Sequence, residues 1–359
     1  MQRSFRDKDF IEDFNGMFFC VIGNVHPPNR VISYLKYIPK IEKEAIRIKW
    51  SKEGKTYSRI LPYYSALGTF FTKDYLKKNF PEYVYFDEYL NIEYSSVPIK
   101  MIKNHFKPEE RLRELLIEKN KDKLEEIAIE LVKIISNESN VSYNSIGISG
   151  SILLKIHNVE FSDIDLIIYG YKNSIKVKET IKRILSEEKY GIHPPKGKIL
   201  ESWAKDIIKI HPLSFKEAYK LYSEKWNRIL FGEKQFSIHP VKIEEEVNEV
   251  YGKIRYIPKG FVKIKCKIED NKEAIFLPCK YKIKNVEIIE GLKVNDIKEI
   301  VSYEGLYSDI AENEEEVIAY GKLEEVIDIY NNLNYHRIQI GSIEAKGKDY
   351  IKPLRWLSA

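Results

Sequence analysis

The feature that most constrains this chain is a glycine-rich turn that leads into a short apolar helix. The turn occupies residues 147–155 and reads GISGSILLK. Gly147 and Gly150 allow the backbone to turn tightly without a side-chain clash. Ser151 is expected to cap the helix that follows by accepting from its free N–H groups. A helix start with free N–H groups and no bulky side chain in front of it is suited to hold a phosphate.

An acidic strand is predicted shortly after this turn, at residues 162–169 (SDIDLIIY). Because side chains alternate across a strand, Asp163 and Asp165 share one face, and Ile164 and Leu166 share the other. Two adjacent carboxylates repel each other, so a chain keeps such a pair mainly where a hard divalent cation lies between them. The sequence therefore predicts that Asp163 and Asp165 bind Mg²⁺ or Mn²⁺. The alternative, two exposed carboxylates on an ordinary strand, is disfavoured by the apolar run around them.

Turn, helix and acidic strand together resemble the nucleotidyltransferase domain of the DNA polymerase β superfamily. Its signature is Gly-Ser, a short helix and a strand that bears Asp-x-Asp, which Gly150, Ser151, Asp163 and Asp165 match. The resemblance implies two-metal nucleotidyl transfer, in which the aspartates bind the metal. It also implies that Ser149, Gly150 and Ser151 hold the phosphates of a nucleoside triphosphate (NTP) such as ATP. Further segments resemble a group of uncharacterised archaeal predicted nucleotidyltransferases: residues 18–23, 26–27, 34–37, 226–228, 236–240 and 302–305.

The sequence departs from the superfamily pattern at the third carboxylate, which belongs on a neighbouring strand. The next predicted strand, residues 235–242, has no acid, but Ser237 and His239 share one of its faces. His239 is therefore a candidate for the third position, although imidazole suits Mn²⁺ or proton transfer better than Mg²⁺. A structural histidine at a strand end is the competing interpretation. The other acids that the sequence offers are Asp206, Glu233 and the run at 244–246.

Two basic residues near these motifs are candidates for binding the triphosphate. Lys155 lies about one helical turn after Ser151, so its long side chain reaches the phosphate end only if it folds back. Arg228 is expected on a helix that starts with a capping box at Ser214 and ends at Gly232. A solvated, charged helix face is the competing explanation for Arg228.

Changes in sequence pattern divide the 359 residues into three predicted regions, as expected for a chain too long for one ordinary domain. The predicted fold class is multidomain α+β. The regions are an N-terminal α+β domain (1–105), a polymerase-β-like nucleotidyltransferase domain with a mixed sheet and helices (106–250), and a β-rich, barrel-like C-terminal domain (251–359).

A stripe of three lysines marks the C-terminal region. Lys263, Lys265 and Lys267 alternate with apolar residues over 262–268, which predicts a half-buried strand with lysines on its outer face. This lysine stripe is expected to contact the phosphates of a nucleic acid, with RNA favoured. The formal net charge of +5 is too small to indicate nucleic acid by itself.

Tyrosines and lysines are interleaved in the N-terminal region, at 34–37, 63–64 and 75–78. Such a pattern is suited to stacking bases and neutralising a nucleic acid strand. The competing interpretation is that these tyrosines are core residues whose hydroxyls reach water.

Composition narrows the class of protein further. With 43% hydrophobic and 31% charged residues the chain is predicted to be globular and soluble. No apolar run approaches the roughly 18 residues of a membrane span, and the N-terminus lacks a signal peptide's apolar segment, so a cytoplasmic protein without a membrane partner is expected. Cys20, Cys266 and Cys279 form no Cys-x-x-Cys pair and are predicted to be small buried side chains.

The sequence as a whole predicts a metal-dependent nucleotidyltransferase. It would transfer a nucleoside monophosphate (NMP) from an NTP to an acceptor, most simply RNA, held between the central and flanking regions. The alternative is a nucleic-acid-binding scaffold whose transferase domain has lost catalysis. A protein partner is not predictable from the sequence.

Overall fold

The computed structural model describes residues 3–39, 47–52 and 54–357. Within these ranges the protein is mixed α/β, with seven α-helices and three β-sheets that follow one another along the chain. This confirms the prediction of a fold with several parts that combine helices and sheets. No helix in the described ranges is long and apolar enough to cross a membrane.

The N-terminal sheet has eight strands, and all its pairings are antiparallel. One face packs against helix α1, and the other packs against Leu153, Leu154 and Ile156, which follow the glycine-rich turn. The elements are β1 (Phe10–Asp13), β2 (Phe18–Val21), β3 (Arg30–Ile38), β4 (Arg47–Lys52), β5 (Lys55–Arg59), α1 (Ala66–Asn79), β6 (Val84–Asp87), β7 (Ile92–Pro98) and β8 (Ile102–Phe106).

The central sheet has five strands in the order β11-β12-β13-β10-β9, and only β10 and β13 run parallel. Apolar side chains of α2, α3 and α5 form its core. The elements are α2 (Pro108–Ile117), α3 (Lys123–Ser139), β9 (Ile146–Ile148), α4 (Gly150–Leu153), β10 (Ile164–Tyr169), α5 (Tyr171–Glu187), β11 (Ile192–His193), α6 (Gly197–Ile207), α7 (Phe215–Glu224), β12 (Arg228–Phe231) and β13 (Lys234–Val241).

The helix that begins at Ser214 is shorter than the sequence predicts. The capping box between Ser214 and Glu217 is present, but α7 ends at Glu224. Gly232 instead lies in the turn between β12 and β13. The reason is tertiary, because the Trp226 indole donates to Asp309 at 2.7 Å and holds this segment against the C-terminal region.

The C-terminal sheet has six strands, and five of them form a closed ring because β14 pairs with both β15 and β17. The predicted alternation at 262–268 is confirmed, since the apolar side chains of this stretch are buried and its lysines are not. Apolar side chains of α6 and α7 lie in the same core as this sheet. The strands are β14 (Ile254–Asp270), β15 (Cys279–Gly291), β16 (Ile297–Ser302), β17 (Glu316–Asp328), β18 (Leu333–Ile340) and β19 (Tyr350–Pro353).

The three cysteines are buried free thiols, as predicted.

A buried acid, Glu304, lies where the C-terminal region meets α1. Its side chain accepts a hydrogen bond from the backbone N–H of Ala66 at 2.8 Å, and the residue is 4% exposed. Burial, with a smaller contribution from Asp349, raises the pKa of Glu304 to about 8. The ionised form is therefore disfavoured in the folded protein.

We expect Glu304→Gln to raise the melting temperature (Tm) at pH 8 and to have little effect near pH 4.5. In the unfolded chain this acid has a pKa near 4.5. Folding is thus favoured by its protonation below that pH, and the advantage is lost as pH rises toward 8. Each pH unit in this window changes the free energy of unfolding by up to about 1.4 kcal/mol, whereas glutamine stays neutral throughout. Melting curves from pH 5 to 8 test this, with exposed Glu130→Gln as the control; parallel Tm profiles for wild type and Glu304→Gln would contradict it.

Candidate active site

The two aspartates of the acidic strand lie at the N-terminal end of β10, an interior strand of the central sheet. Asp165 is on β10 and Asp163 directly precedes it, and both alternate with the fully buried Ile164 and Leu166. Asp163 is accessible to solvent, although protein surrounds it on several sides. Asp165 is enclosed more tightly, with 21% of its side chain exposed.

The environments of the two carboxyl groups push their pKa values apart. Partial enclosure and the charge of Asp165 raise the pKa of Asp163. Burial alone would raise the pKa of Asp165 too, but contacts with His239 and the Ser237 hydroxyl and the charge of Lys36 hold it well below its usual range. Asp165 is therefore ionised at neutral pH, and a cation bound beside it would also favour ionisation of Asp163.

Ser237 and His239 of β13 lie next to Asp165, because β10 and β13 pair in parallel with Asp165 opposite Ser237. The Ser237 hydroxyl donates to Asp165 Oδ1 at 2.6 Å. His239 Nε2 is 2.8 Å from Ser237 Oγ and 3.4 Å from Asp165 Oδ1. Since the single hydroxyl proton goes to the carboxylate, His239 Nε2–H donates to Ser237 Oγ. In neutral imidazole this leaves Nδ1 as the basic nitrogen.

The glycine-rich turn is hydrogen-bonded to both the acidic strand and the N-terminal region. Ser149 N–H donates to the Asp165 carbonyl at 2.8 Å, and its hydroxyl donates to the Lys8 carbonyl at 2.7 Å. Gly150 has φ +66°, and a Cβ there would lie 2.3 Å from Asp165 Oδ2. Only glycine fits this position, because it tolerates the backbone conformation and leaves room for the carboxylate. Gly147 is constrained by contact with Pro108, whose Cβ would lie 2.6 Å from an added Cβ.

The expectation that Ser151 caps the following helix is wrong. The N-cap of α4 is Ser149, and it makes no side-chain cap. Ser151 lies inside the first turn and is 6% exposed. The Ser149 hydroxyl is used for the contact with Lys8 instead, which is a tertiary contact that local sequence does not reveal.

The two basic candidates are placed differently from their sequence expectations. Lys155 Nζ is 3.1 Å from Glu114 Oε2, so it is paired with α2. Arg228 is on strand β12 and not on a helix. Its guanidinium lies over the Trp203 ring at 4.9 Å and the Tyr222 ring at 5.5 Å, and its charge offsets a small part of the rise in the pKa of Asp163.

Two further cations reach the site from the N-terminal sheet, and the sequence did not assign them to it. Lys36 of β3 interacts electrostatically with Asp163 and Asp165. Arg59 of β5 interacts with Asp163, and its guanidinium lies 4.5 Å from the centre of the Tyr64 ring. In the sequence, the interleaving of tyrosines and lysines at 34–37 was the pattern that could have pointed to Lys36.

The interleaved tyrosines of the N-terminal region are of two kinds: some are core residues, and one lies at a surface that could contact a ligand. Tyr34 and Tyr37 are buried core residues at 8% and 3% exposure. Tyr64 is 56% exposed beside Lys36 and Arg59, so it lies at the surface of the site. The position of these side chains depends on how the N-terminal sheet docks on the turn, and no local pattern encodes that.

A third carboxylate near the site belongs to Asp7, which sequence reasoning did not consider. Asp7 is 2% exposed and interacts electrostatically with His239. Its Oδ1 accepts from the Gly23 N–H at 3.0 Å, whereas Oδ2 has no hydrogen-bond partner within the described residues. Burial raises the pKa of Asp7.

The other acids proposed for the third position have contacts elsewhere or lie in a turn. Asp206 pairs with Lys209, Glu244 with Arg6, Glu246 accepts from the Tyr171 N–H, and Glu233 lies in the β12–β13 turn.

The lysine stripe of the C-terminal sheet faces acids of neighbouring strands and turns. Lys263 Nζ is 3.0 Å from Glu290, Lys265 Nζ is 3.3 Å from Glu316, and Lys267 interacts electrostatically with Glu314. Part of its positive charge is therefore balanced within the protein.

A separate group of possible metal ligands, Asp122, Glu125 and His157, lies at the start of α3. Asp122 and Glu125 form the capping box of that helix, Glu125 also pairs with Arg111, and His157 Nε2 is 2.6 Å from Asp122. These contacts account for the group as a structural feature.

Comparison with known proteins gives one extended match. No protein-family model matches the chain, and no solved structure is significantly similar to it. The chain is 33% identical over 353 residues to the uncharacterized protein MJ1086 of Methanocaldococcus jannaschii, and the alignment covers 97% of this chain and 98% of the relative. The resemblance to uncharacterised archaeal proteins agrees with this match. Because the similarity extends over nearly the whole of both sequences, this chain belongs to the same protein family as MJ1086.

Proposed function

We propose that this protein is a metal-dependent nucleotidyltransferase that moves an NMP from an NTP to an acceptor. The observation that carries the proposal is the pair Asp163 and Asp165, held beside the glycine-rich turn, with the charges of Lys36, Arg59 and Arg228 acting on one or both of them. Within the described residues none of these three cations forms an ion pair with a carboxylate. A site with two acids and several unpaired cations is suited to a metal together with a polyphosphate.

The central region is proposed to be a transferase domain of the DNA polymerase β superfamily. The support is the order of turn, short helix and acidic strand, with Gly150 packed against the Asp165 carboxylate. The same likeness assigns Ser149, Gly150 and Ser151 to the phosphates, and Lys155 stays a candidate that would have to leave its half-exposed ion pair with Glu114 to reach them.

The donor set fits Mg²⁺ or Mn²⁺, since two carboxylates offer the hard oxygen ligands that these ions prefer. Asp163 and Asp165 would hold the ion, which supplies Lewis-acid stabilisation of the charge that develops on phosphate. His239, which lies beside Asp165 and is oriented through Ser237, would accept the proton of the attacking acceptor hydroxyl. Arg228 would face the nucleotide from β12.

The acceptor is proposed to be nucleic acid, with RNA favoured. The support is the lysine stripe, and acids beside the stripe limit how much of its charge is offered to phosphate. A protein or small-molecule acceptor would be consistent with the same reaction, because fold does not determine the acceptor.

The proposal is tested by incubating the protein with each NTP labelled at either the α- or the γ-phosphate, with Mg²⁺ or Mn²⁺ and total cellular RNA. We expect α-label, but no γ-label, to appear on RNA, and we expect removal of the metal with a chelator to abolish it. Label on the protein would identify a protein acceptor. Transfer of γ-label would instead indicate a kinase and contradict nucleotidyl transfer.

A catalytically inactive nucleic-acid-binding scaffold is the second candidate. It is favoured by one observation, namely that β13 carries Ser237 and His239 where the superfamily pattern calls for an acid. Absence of label from every acceptor, together with binding of RNA, would favour the scaffold.

A further inference from the structure

Lys36 is a buried cation without a polar partner in the part of the chain that the structure describes. The residue is 5% exposed, and its ammonium nitrogen lies over three aromatic rings, 5.2 Å from the centre of Phe10, 5.6 Å from Tyr37 and 5.1 Å from Tyr64. Aromatic faces attract a cation but provide no hydrogen-bond acceptor comparable to a carboxylate or phosphate. The ammonium therefore keeps its donors available to a ligand.

Among the described residues, other buried cations have polar partners: Lys225, 9% exposed, donates to the Ser308 carbonyl at 2.8 Å, and the two that follow pair with a carboxylate. Lys322 is 2% exposed and lies 3.2 Å from Glu324, and Arg337 is 4% exposed and lies 2.8 Å from the same residue. A buried charge without such a partner costs free energy of folding. The difference between Lys36 and these residues indicates that Lys36 is retained for binding rather than for stability.

The surroundings of Lys36 point to an anion with several charges. Its charge acts on both Asp163 and Asp165, so β3 of the N-terminal sheet brings it within interaction range of the acid pair. Arg59 adds a second cation there, 4.5 Å from the centre of the Tyr64 ring. Tyr64, exposed to 56%, forms the solvent side of this aromatic cage. Two cations beside two metal-binding acids are complementary to a polyphosphate that carries a divalent cation.

We propose that Lys36, assisted by Arg59, binds the β,γ-diphosphate portion of the NTP, so that the N-terminal sheet completes the nucleotide site. This rests on the proposed function. In the transfer, the acceptor hydroxyl oxygen forms a bond to the α-phosphorus and releases its proton to His239. The bond from the α-phosphorus to the α,β-bridging oxygen breaks, and its electron pair leaves with pyrophosphate. Lys36 and Arg59 stabilise the negative charge on that leaving group.

The test measures binding of Mg²⁺-tripolyphosphate and of Mg²⁺-ATP by calorimetry, in wild type and in Lys36→Met, which keeps an apolar chain of similar length. We expect the dissociation constant for both ligands to rise by about tenfold to a hundredfold, the range for losing a hydrogen bond to a charged group. Lys36→Arg is expected to recover part of the affinity. Lys133→Met, at an exposed position on α3, is the matched control and should bind like wild type.

Thermal unfolding of the same variants separates binding from folding. Lys36→Met removes a charge that costs free energy to bury, but it also removes the compensation that this charge gives Asp163 and Asp165, so its Tm without ligand should lie close to that of wild type. A purely structural lysine would give a clearly lower Tm with unchanged affinity in the remaining folded protein. That result would overturn the proposal.

The remaining outcomes distinguish this inference from the proposed function. Binding by wild type that Lys36→Met leaves unchanged would refute the role of Lys36 and leave nucleotidyl transfer intact. Binding that depends on Lys36, without any transfer of α-label, would support the polyphosphate site and refute the transferase. No binding of tripolyphosphate or ATP by wild type would refute both. An effect of Lys36→Met on a short RNA without a triphosphate, and not on tripolyphosphate, would assign Lys36 to the acceptor and overturn the proposal.

Discussion

Asp165→Asn is expected to reduce the rate of NMP transfer at saturating NTP by about a thousandfold or more. Asparagine preserves the size of the side chain and can still accept from the Ser237 hydroxyl, which lies 2.6 Å from Asp165 Oδ1. It removes one of the two negative charges that would hold the metal. Metal stabilisation of the transition state is worth several kcal/mol, and each 1.36 kcal/mol corresponds to a factor of ten in rate.

The measurement is the initial rate of α-label transfer with saturating Mg²⁺ and NTP, accompanied by thermal unfolding. Asp296→Asn is the matched control, because Asp296 is exposed in the loop between β15 and β16 and its φ of +66° suits asparagine. We expect this control to transfer at the wild-type rate. If Asp165→Asn stays folded and keeps more than about a tenth of the wild-type rate, Asp165 is not a metal ligand of the reaction.

Gly150→Ala is expected to lose at least about a hundredfold of transfer activity and to destabilise the protein by about 2–5 kcal/mol. The added Cβ would lie 2.3 Å from Asp165 Oδ2, far inside contact distance, so the carboxylate or the turn must move. The left-handed backbone conformation at φ +66° is also higher in free energy for alanine than for glycine. A displacement of about 1 Å at a catalytic group is enough for a loss of this size.

Gly197→Ala isolates the backbone contribution to this effect. Gly197 also has a positive φ, +54°, but an added Cβ there would meet nothing within 4 Å. We expect this variant to lose about 1–3 kcal/mol of stability and to retain transfer. Equal activity in the two variants would show that contact between Gly150 and Asp165 does not matter for the reaction.

Much of the local structure follows from patterns in the sequence. The alternation of Asp163 and Asp165 with Ile164 and Leu166, the capping box at Ser214 and the half-buried strand around Cys266 are all present in the structure. These predictions succeed because side-chain periodicity and helix capping depend on residues a few positions apart. The pairing of Ser237 and His239 with the acid strand was also accessible, since both lie on one face of the next long strand.

The predictions that failed depended on contacts between distant parts of the chain. The sequence pattern predicted that α7 continues to Gly232. The helix ends at Glu224 instead, and Trp226 beyond it donates a hydrogen bond to Asp309 of the C-terminal region. Ser151 looked like a helix cap, but the preceding Ser149 occupies the N-cap and uses its hydroxyl to hold Lys8. Neither contact can be predicted from the neighbouring sequence, because each joins residues that are far apart in the chain.

The sequence by itself was enough to identify the two aspartates and the glycine beside them as candidate site residues, and to suggest the type of chemistry. Only the tertiary structure decided which cations surround those aspartates. It brings Lys36 and Arg59 to the acid pair from a sheet more than a hundred residues earlier in the chain, and it pairs Lys155 with Glu114 instead. The physical reason is that carboxylate spacing is set by one strand, whereas the charge around it is set by the docking of two sheets across the glycine-rich turn.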